Sequence, residues 1–142
     1  MEKKLFFTLE ELNDISKSTL VENLGIVFTE LDENHITATM PVDKRTVQPF
    51  KILHGGANLA LAETIGGALS LAITDPEKYL IKGIEISANH VKAVAEGEEV
   101  TATATFLHKG RTLHITEISI KDNNNKLVSI SRLTNFIQKK KA

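Results

Sequence analysis

Ala57-Asn58-Leu59-Ala60-Leu61-Ala62-Glu63-Thr64-Ile65-Gly66-Gly67-Ala68-Leu69-Ser70-Leu71-Ala72-Ile73-Thr74 is the stretch on which the fold turns. It is long and apolar enough to suggest a membrane span, but Asn58, Glu63 and Thr64 interrupt it, and it is rich in Ala and Gly rather than Leu and Ile. The better reading is a buried helix of a soluble fold. Ala57, Ala60, Ala62, Gly66, Gly67, Ala68 and Ala72 spread small residues around its circumference, so a strongly curved sheet can approach it from several sides.

The flanking segments supply that sheet. Upstream, Gly25–Leu31 and His35–Val42 are β-rich runs separated by Asp32-Glu33-Asn34, which is hairpin chemistry. Downstream of the turn Asp75-Pro76-Glu77-Lys78, strands are expected near 79–89, 98–108, 111–121 and 126–138. Val100, Ala102, Ala104 and Phe106 alternate with Thr101, Thr103 and Thr105, the pattern of a half-buried strand. In the third segment Leu113 and Ile115 hold one phase and Ile118 and Ile120 the other, which predicts a β-bulge near Thr116-Glu117. Thr8 and Glu11 form a capping box that opens a short helix running to about Ser16 and followed by loop. The stretch from Asp43 to Gly56 holds no period and reads as a long loop, where sites tend to sit. The expected architecture is one α+β domain over 1–142: an N-terminal helix and loop over 1–20, one long helix buried by an antiparallel sheet, and a solvated basic tail at 139–142.

Composition narrows the function. The 142 residues are 42% hydrophobic and contain no cysteine, which excludes a disulfide scaffold, a Cys-ligated metal site and a cysteine nucleophile. Seventeen basic residues against eighteen acidic ones give no field to attract nucleic acid or anionic lipid, and 5% aromatics leave little to stack on bases. The N-terminus meets acidic residues before any apolar run, so a cytoplasmic protein is expected. The histidines at 35, 54, 90, 108 and 114 show no metal-ligand spacing. Nucleophile-elbow, Walker and dinucleotide motifs are absent from the sequence.

Glu63 is the most informative residue, because it lies mid-helix among Leu59, Leu61, Ile65 and Leu69 with no Lys or Arg between 52 and 77. A carboxylate buried without a partner costs several kcal/mol, on the order of a whole domain's margin of stability. The competing reading is an exposed edge or a distant Arg. His54-Gly55-Gly56 lies directly before the helix, where free N–H groups and the positive end of the dipole can polarise a carbonyl; the bland alternative is a tight turn. Gln48 could donate to the same oxygen or orient a water, or be a surface amide. Gly55 and Glu63 are eight residues apart, about 12 Å along a helix axis. One helix therefore serves one carbonyl poorly from both points, and a two-fold dimer with sites at its interface resolves the difficulty. A basic cluster is formed by Asn89-His90-Val91-Lys92 and His108-Lys109-Gly110-Arg111-Thr112, read either as a phosphate-gripping rim or as ordinary charged turns.

Gln48-Pro49-Phe50-Lys51-Ile52-Leu53-His54-Gly55-Gly56-Ala57, followed by Leu61-Ala62-Glu63-Thr64-Ile65-Gly66, resembles the hotdog-fold acyl-CoA thioesterases whose carboxylate is a Glu on the central helix. Gly83–Lys92 and Ser131-Arg132-Leu133-Thr134 extend the likeness over nearly the whole chain. It is nearest to the 1,4-dihydroxy-2-naphthoyl-CoA thioesterases of menaquinone biosynthesis, with the phenylacetate-pathway thioesterases beside them. The resemblance implies a hotdog fold, with Glu63 as nucleophile or general base and the Gly55 N–H polarising the thioester carbonyl. Gln48 and His54 would position the acyl group or water, and Gly83, His90 to Ala93 and His108 to Thr112 would lie along coenzyme A. It implies a homodimer that pairs into a homotetramer, and no metal or redox cofactor, coenzyme A entering only as part of the substrate. One position departs from the family pattern. A turn after Glu63, where relatives often place a Ser or Thr that bonds the acyl group or the water, this chain has Gly67, which widens the room for the acyl group.

Overall fold

The computed structural model describes residues 5–142, so the first four residues of the expected N-terminal segment lie outside the described residues. The elements are α1 (Leu9–Ile15), α2 (Leu20–Asn23), β1 (Val27–Leu31), β2 (His35–Pro41), α3 (Gly55–Ile73), β3 (Tyr79–His90), β4 (Glu99–Lys109), β5 (Leu113–Lys121) and β6 (Leu127–Lys139). The strands form one sheet in the order β1-β2-β4-β5-β6-β3, every neighbouring pair antiparallel. The α+β expectation holds. The sheet curls around α3, which packs against β2, β3, β4, β5 and β6.

The core follows the two periodicities of the chain. Leu61, Ile65 and Leu69 of α3 are fully buried, as are Ile36, Ala38 and Met40 of β2, Val100, Ala102 and Ala104 of β4, and Ile118 and Ile120 of β5. Each large side chain in that set contributes about 1.5–3 kcal/mol by leaving water. Although α3 is long and apolar enough by length and composition to cross a membrane, these residues bind it to the sheet. The approach is close at Gly66, where a Cβ would stand 2.6 Å from Leu133 and 2.8 Å from the Thr116 hydroxyl.

Four expectations are corrected. α3 begins at Gly55 with His54 as its cap, so the Gly pair is the first turn of the helix and not the end of the loop. A second short helix, α2, follows α1 and is capped by Thr19, whose hydroxyl accepts from the Val21 N–H. The bulge expected at Thr116-Glu117 is absent: His114, Thr116, Ile118 and Ile120 form one continuous buried face of β5. The apparent phase change arose because that face carries two polar residues. The irregularity lies across from it in β4, where Leu107 is inserted between the pairs Phe106–Thr116 and His108–Ile115. The basic tail is exposed but anchored, since Lys140 donates from its N–H to the Lys78 carbonyl and from Nζ to the Pro76 carbonyl at 2.6 Å.

Candidate active site

Wrapping by a curved sheet leaves one stripe of α3 open, running through Gly56, Ala60, Glu63, Gly67 and Leu71. Glu63 is therefore exposed in the isolated protomer, which corrects the picture of a fully buried carboxylate. No hydrogen-bond or ion-pair partner reaches it among the described residues. Its Oε1 sits 3.0 Å from the point a Cβ would occupy on Gly83 of β3. β3 prepares that contact with a bulge: Gly83 pairs with Asn135 and Glu85 with Thr134, leaving Ile84 as the extra residue. A side chain at 83 would push the carboxylate aside.

A cavity of about 440 Å³ opens from Glu63 along the helix, lined by Gly67, Leu71, Tyr79, Ile81, Gly83 and Asn135. Around Gly67 a Cβ would meet nothing within 4 Å, so the wide space expected there exists.

The helix start offers one donor. Gly56 gives its N–H to Nδ1 of His54 at 2.7 Å, and Ala57 and Asn58 give theirs to the His54 carbonyl, while the Gly55 N–H has no acceptor among the described residues. An amide so placed at the positive end of a 19-residue helix favours a partly negative oxygen. The imidazole of His90 stands against Gly55, its Cδ2 2.9 Å and Nε2 3.0 Å from the position of a Cβ. That ring is held through Nδ1 by the buried Ser129 hydroxyl at 2.8 Å. Gln48 closes a tight turn: its side-chain carbonyl accepts from the Phe50 N–H and its main-chain carbonyl from Lys51. Lys51 takes the left-handed conformation, φ 64°, and Phe50 at the tip is 86% exposed. The amide NH2 of Gln48 remains as a donor.

Within one protomer the donor at Gly55 and the carboxylate at Glu63 stay apart, at His90 and at Gly83 respectively. The basic segments are separated further. Asn89 and His90 end β3, where His90 pairs with Ser129, and Val91 to Ala93 follow, whereas the 108–112 turn lies where Leu113 pairs with Phe136 and Thr112 accepts from the Ile137 N–H. Those points on β6 are seven residues apart, about 23 Å at the ~3.3 Å rise of a strand. A shared rim within one subunit is thus corrected. Two of its cations are also engaged. Lys92 pairs with Asp122, whose carboxyl that contact holds below the usual range, and Lys109 donates to the Glu33 carbonyl at 3.3 Å and caps the Phe106 ring. Asn89, Val91, Ala93, His108 and Arg111 are exposed and Gly110 is half-buried.

Sequence reasoning passed over Asn135, Ser129, Ser70 and His114. The available signal was the inward phase of β6, where Ser129, Ser131 and Asn135 stand with Leu133 and Ile137 in what would otherwise be an apolar row. Among the described residues no group of His, Asp or Glu is arranged to hold a metal.

Comparison with known proteins agrees with this fold. The model of the thioesterase superfamily matches residues 50–129, which include the end of the loop, α3, the strands β3, β4 and β5, and the first residues of β6. The proofreading thioesterase EntH of Cronobacter sakazakii is 46% identical over 134 residues, 94% of this chain and 96% of that protein. The 1,4-dihydroxy-2-naphthoyl-CoA hydrolase of Escherichia coli is 42% identical over 130 residues, 92% of this chain and 94% of that one. The crystal structure of a thioesterase from Haemophilus influenzae superposes with a TM-score of 0.91 at 42% identity, covering 98% of this chain and 96% of the other. The chain belongs to the hotdog thioesterase superfamily and is a thioester hydrolase.

Proposed function

We propose that the protein hydrolyses an acyl-CoA with an aromatic or bicyclic acyl group, 1,4-dihydroxy-2-naphthoyl or a related aryl or arylacetyl group, and does so in the cytoplasm as a two-fold dimer. The observation that carries the reading is the Glu63 carboxylate, free of partners among the described residues, at the head of a 440 Å³ cavity left wide at Gly67. That volume lies in the range of small-molecule pockets, and its walls of Leu71, Tyr79, Leu80 and Ile81 suit a flat apolar ring. The likeness to the Escherichia coli hydrolase favours the naphthoyl group.

The dimer is argued from β3. This edge strand leaves its outer hydrogen-bonding side open and carries Ile84 at 58% exposure, with Val91 beyond its end also at 58%. Antiparallel pairing with a second β3, centred between Ile86 and Ser87, sets Gly83 opposite His90 of the partner subunit. Glu63 then faces the partner's Gly55, which meets the distance requirement that one protomer fails. The same operation brings the 108–112 turn of one subunit toward residues 89–93 of the other, as a composite grip for coenzyme A. Pairing of two such dimers into a tetramer is carried by the family likeness alone.

In this site the Gly55 N–H polarises the thioester carbonyl, with the Gln48 amide and His54 beside it. Glu63 drives attack on the carbonyl carbon and the thiolate leaves; with a thiol pKa near ~8.5 it needs no strong acid. Thiol release from dihydroxynaphthoyl-, benzoyl- and phenylacetyl-CoA, with wild type and Glu63→Gln, tests the reading. Turnover of an aromatic thioester that the substitution abolishes supports it. Retained turnover in Glu63→Gln, or binding of thioesters with no turnover by wild type, refutes it.

A further inference from the structure

Asn135 is 1% exposed on β6, and its orientation is settled by chemistry. One side of the amide contacts the Gly66 carbonyl at 3.2 Å, which can only accept, and the Ser70 hydroxyl at 3.0 Å. That side is therefore the NH2 group. Ser70 is fixed in turn: its oxygen accepts from Asn135 and contacts Nδ1 of His114 at 3.0 Å. His114 stays neutral, since burial and the nearby Lys109 and His108 push it down to about 4. Asn135, Ser70 and His114 thus form one buried chain of contacts that holds the amide in this orientation.

The amide oxygen of Asn135 is consequently turned toward the cavity. It accepts no hydrogen bond among the described residues, though the side chain around it is buried. It lies 3.6 Å from the point over Gly83 that Glu63 Oε1 approaches to 3.0 Å, so two acceptors converge on one small volume with no donor between them. Two unsatisfied acceptors side by side hold a molecule that donates twice, and the cavity is open to water.

We propose that Asn135 and Glu63 together hold the attacking water, so that hydrolysis proceeds by general base catalysis and not through an acyl-Glu63 anhydride. This inference rests on Glu63 being the catalytic carboxylate. The water gives one hydrogen bond to Glu63 and one to Asn135, leaving a lone pair for the thioester carbon. As the C–O bond forms, Glu63 takes the first proton and the second stays on the oxygen, bonded to Asn135. Collapse of the tetrahedral intermediate breaks the C–S bond. Glu63 returns its proton to the departing sulfur, giving free acid and thiol. Gly67, which lines the same cavity one turn from Glu63, has space for a hydroxyl that could take over the contact.

The test is thiol release from the aromatic CoA thioester that wild type turns over fastest, with N135A, N135D, E63Q and the double variant N135A/G67S, each checked for folding by thermal melting. N135A is expected to lose about 10- to 100-fold in kcat with KM changed by less than about twofold. N135A/G67S recovers about tenfold of that loss. N135D keeps the size and one acceptor but adds a second carboxylate, so the acid limb of its kcat/KM profile moves up by about one pH unit. The pH profile of N135D and the rescue decide the matter even if N135A folds poorly. A folded N135A with wild-type kcat, or an N135D profile that does not move, overturns the role of Asn135 while a dead E63Q leaves the thioesterase site standing. Full activity in E63Q overturns both.

Discussion

Acidification from pH 7 to 4 tests the buried chain beneath the site, and His114→Gln isolates its titrating member. His114 is 5% exposed, and its pKa is displaced from 6.5 to about 4 by burial first and then by the proximity of Lys109 and His108. The unfolded chain takes up this proton near 6.5, the folded chain only near 4. The neutral ring's contribution is therefore complete above about pH 6.5, falls through the interval, and is gone below about 4. A displacement of that size corresponds to about 3 kcal/mol, a large part of the ~5–15 kcal/mol that holds a domain folded. Urea unfolding of wild type and His114→Gln at pH 7, 5.5 and 4 measures it. Carboxylates such as Asp122 titrate in both proteins and cancel in the difference. Wild type should lose about 2–3 kcal/mol more than the variant between pH 7 and 4. Parallel stability profiles would falsify the assignment of a neutral, buried imidazole.

Two adjacent glycines of α3 should respond oppositely to alanine. Gly66→Ala drives a Cβ into Leu133 and Thr116 and should cost about 1–3 kcal/mol in denaturant unfolding, whereas Gly67→Ala meets open space and should be neutral or stabilise by up to ~1 kcal/mol. Equal effects would contradict the one-sided packing of the helix. If sites are shared between subunits, Glu63→Gln and Gly55→Pro homodimers are each inactive, yet unfolding and refolding an equimolar mixture restores about a quarter of wild-type thiol release, because half the dimers are mixed and each holds one intact site. A mixture that subunit exchange leaves inactive excludes the two-fold arrangement.

The order of elements was legible in the sequence because hydrophobic period and turn chemistry are local properties, and the strand boundaries fell within one or two residues of those observed. The failures came where a tertiary partner changed the meaning of a residue. His114 and Thr116 face inward because Ser70 and the bare backbone of Gly66 receive them, so the polar letters concealed an unbroken strand phase. Lys140 read as tail because nothing local reveals that the 75–78 turn folds back to meet it. Of the candidate site, Glu63 and Gly55 stood out by chemistry incongruous with their surroundings. Asn135 did not, since one amide among Thr134 and Phe136 means nothing until register sets it opposite Gly83. The two basic segments misled by proximity of type: both are cationic, and topology sends them to opposite ends of β6.

The strand order also governs how the chain is made. β3 is the third strand synthesised, but its neighbour within the subunit is β6, the last. For the whole interval in which residues 91–126 leave the ribosome, β3 has neither edge satisfied, and α3 lacks the Leu133 surface against which Gly66 closes. Pairings of such long sequence separation form late and slowly. The nascent chain thus presents its most apolar helix and a twelve-residue unpaired strand together, and completion of the C-terminus is the event that ends that exposure. Chains stalled before Leu127 should accordingly be cleaved within α3 by added protease, while the finished protein resists.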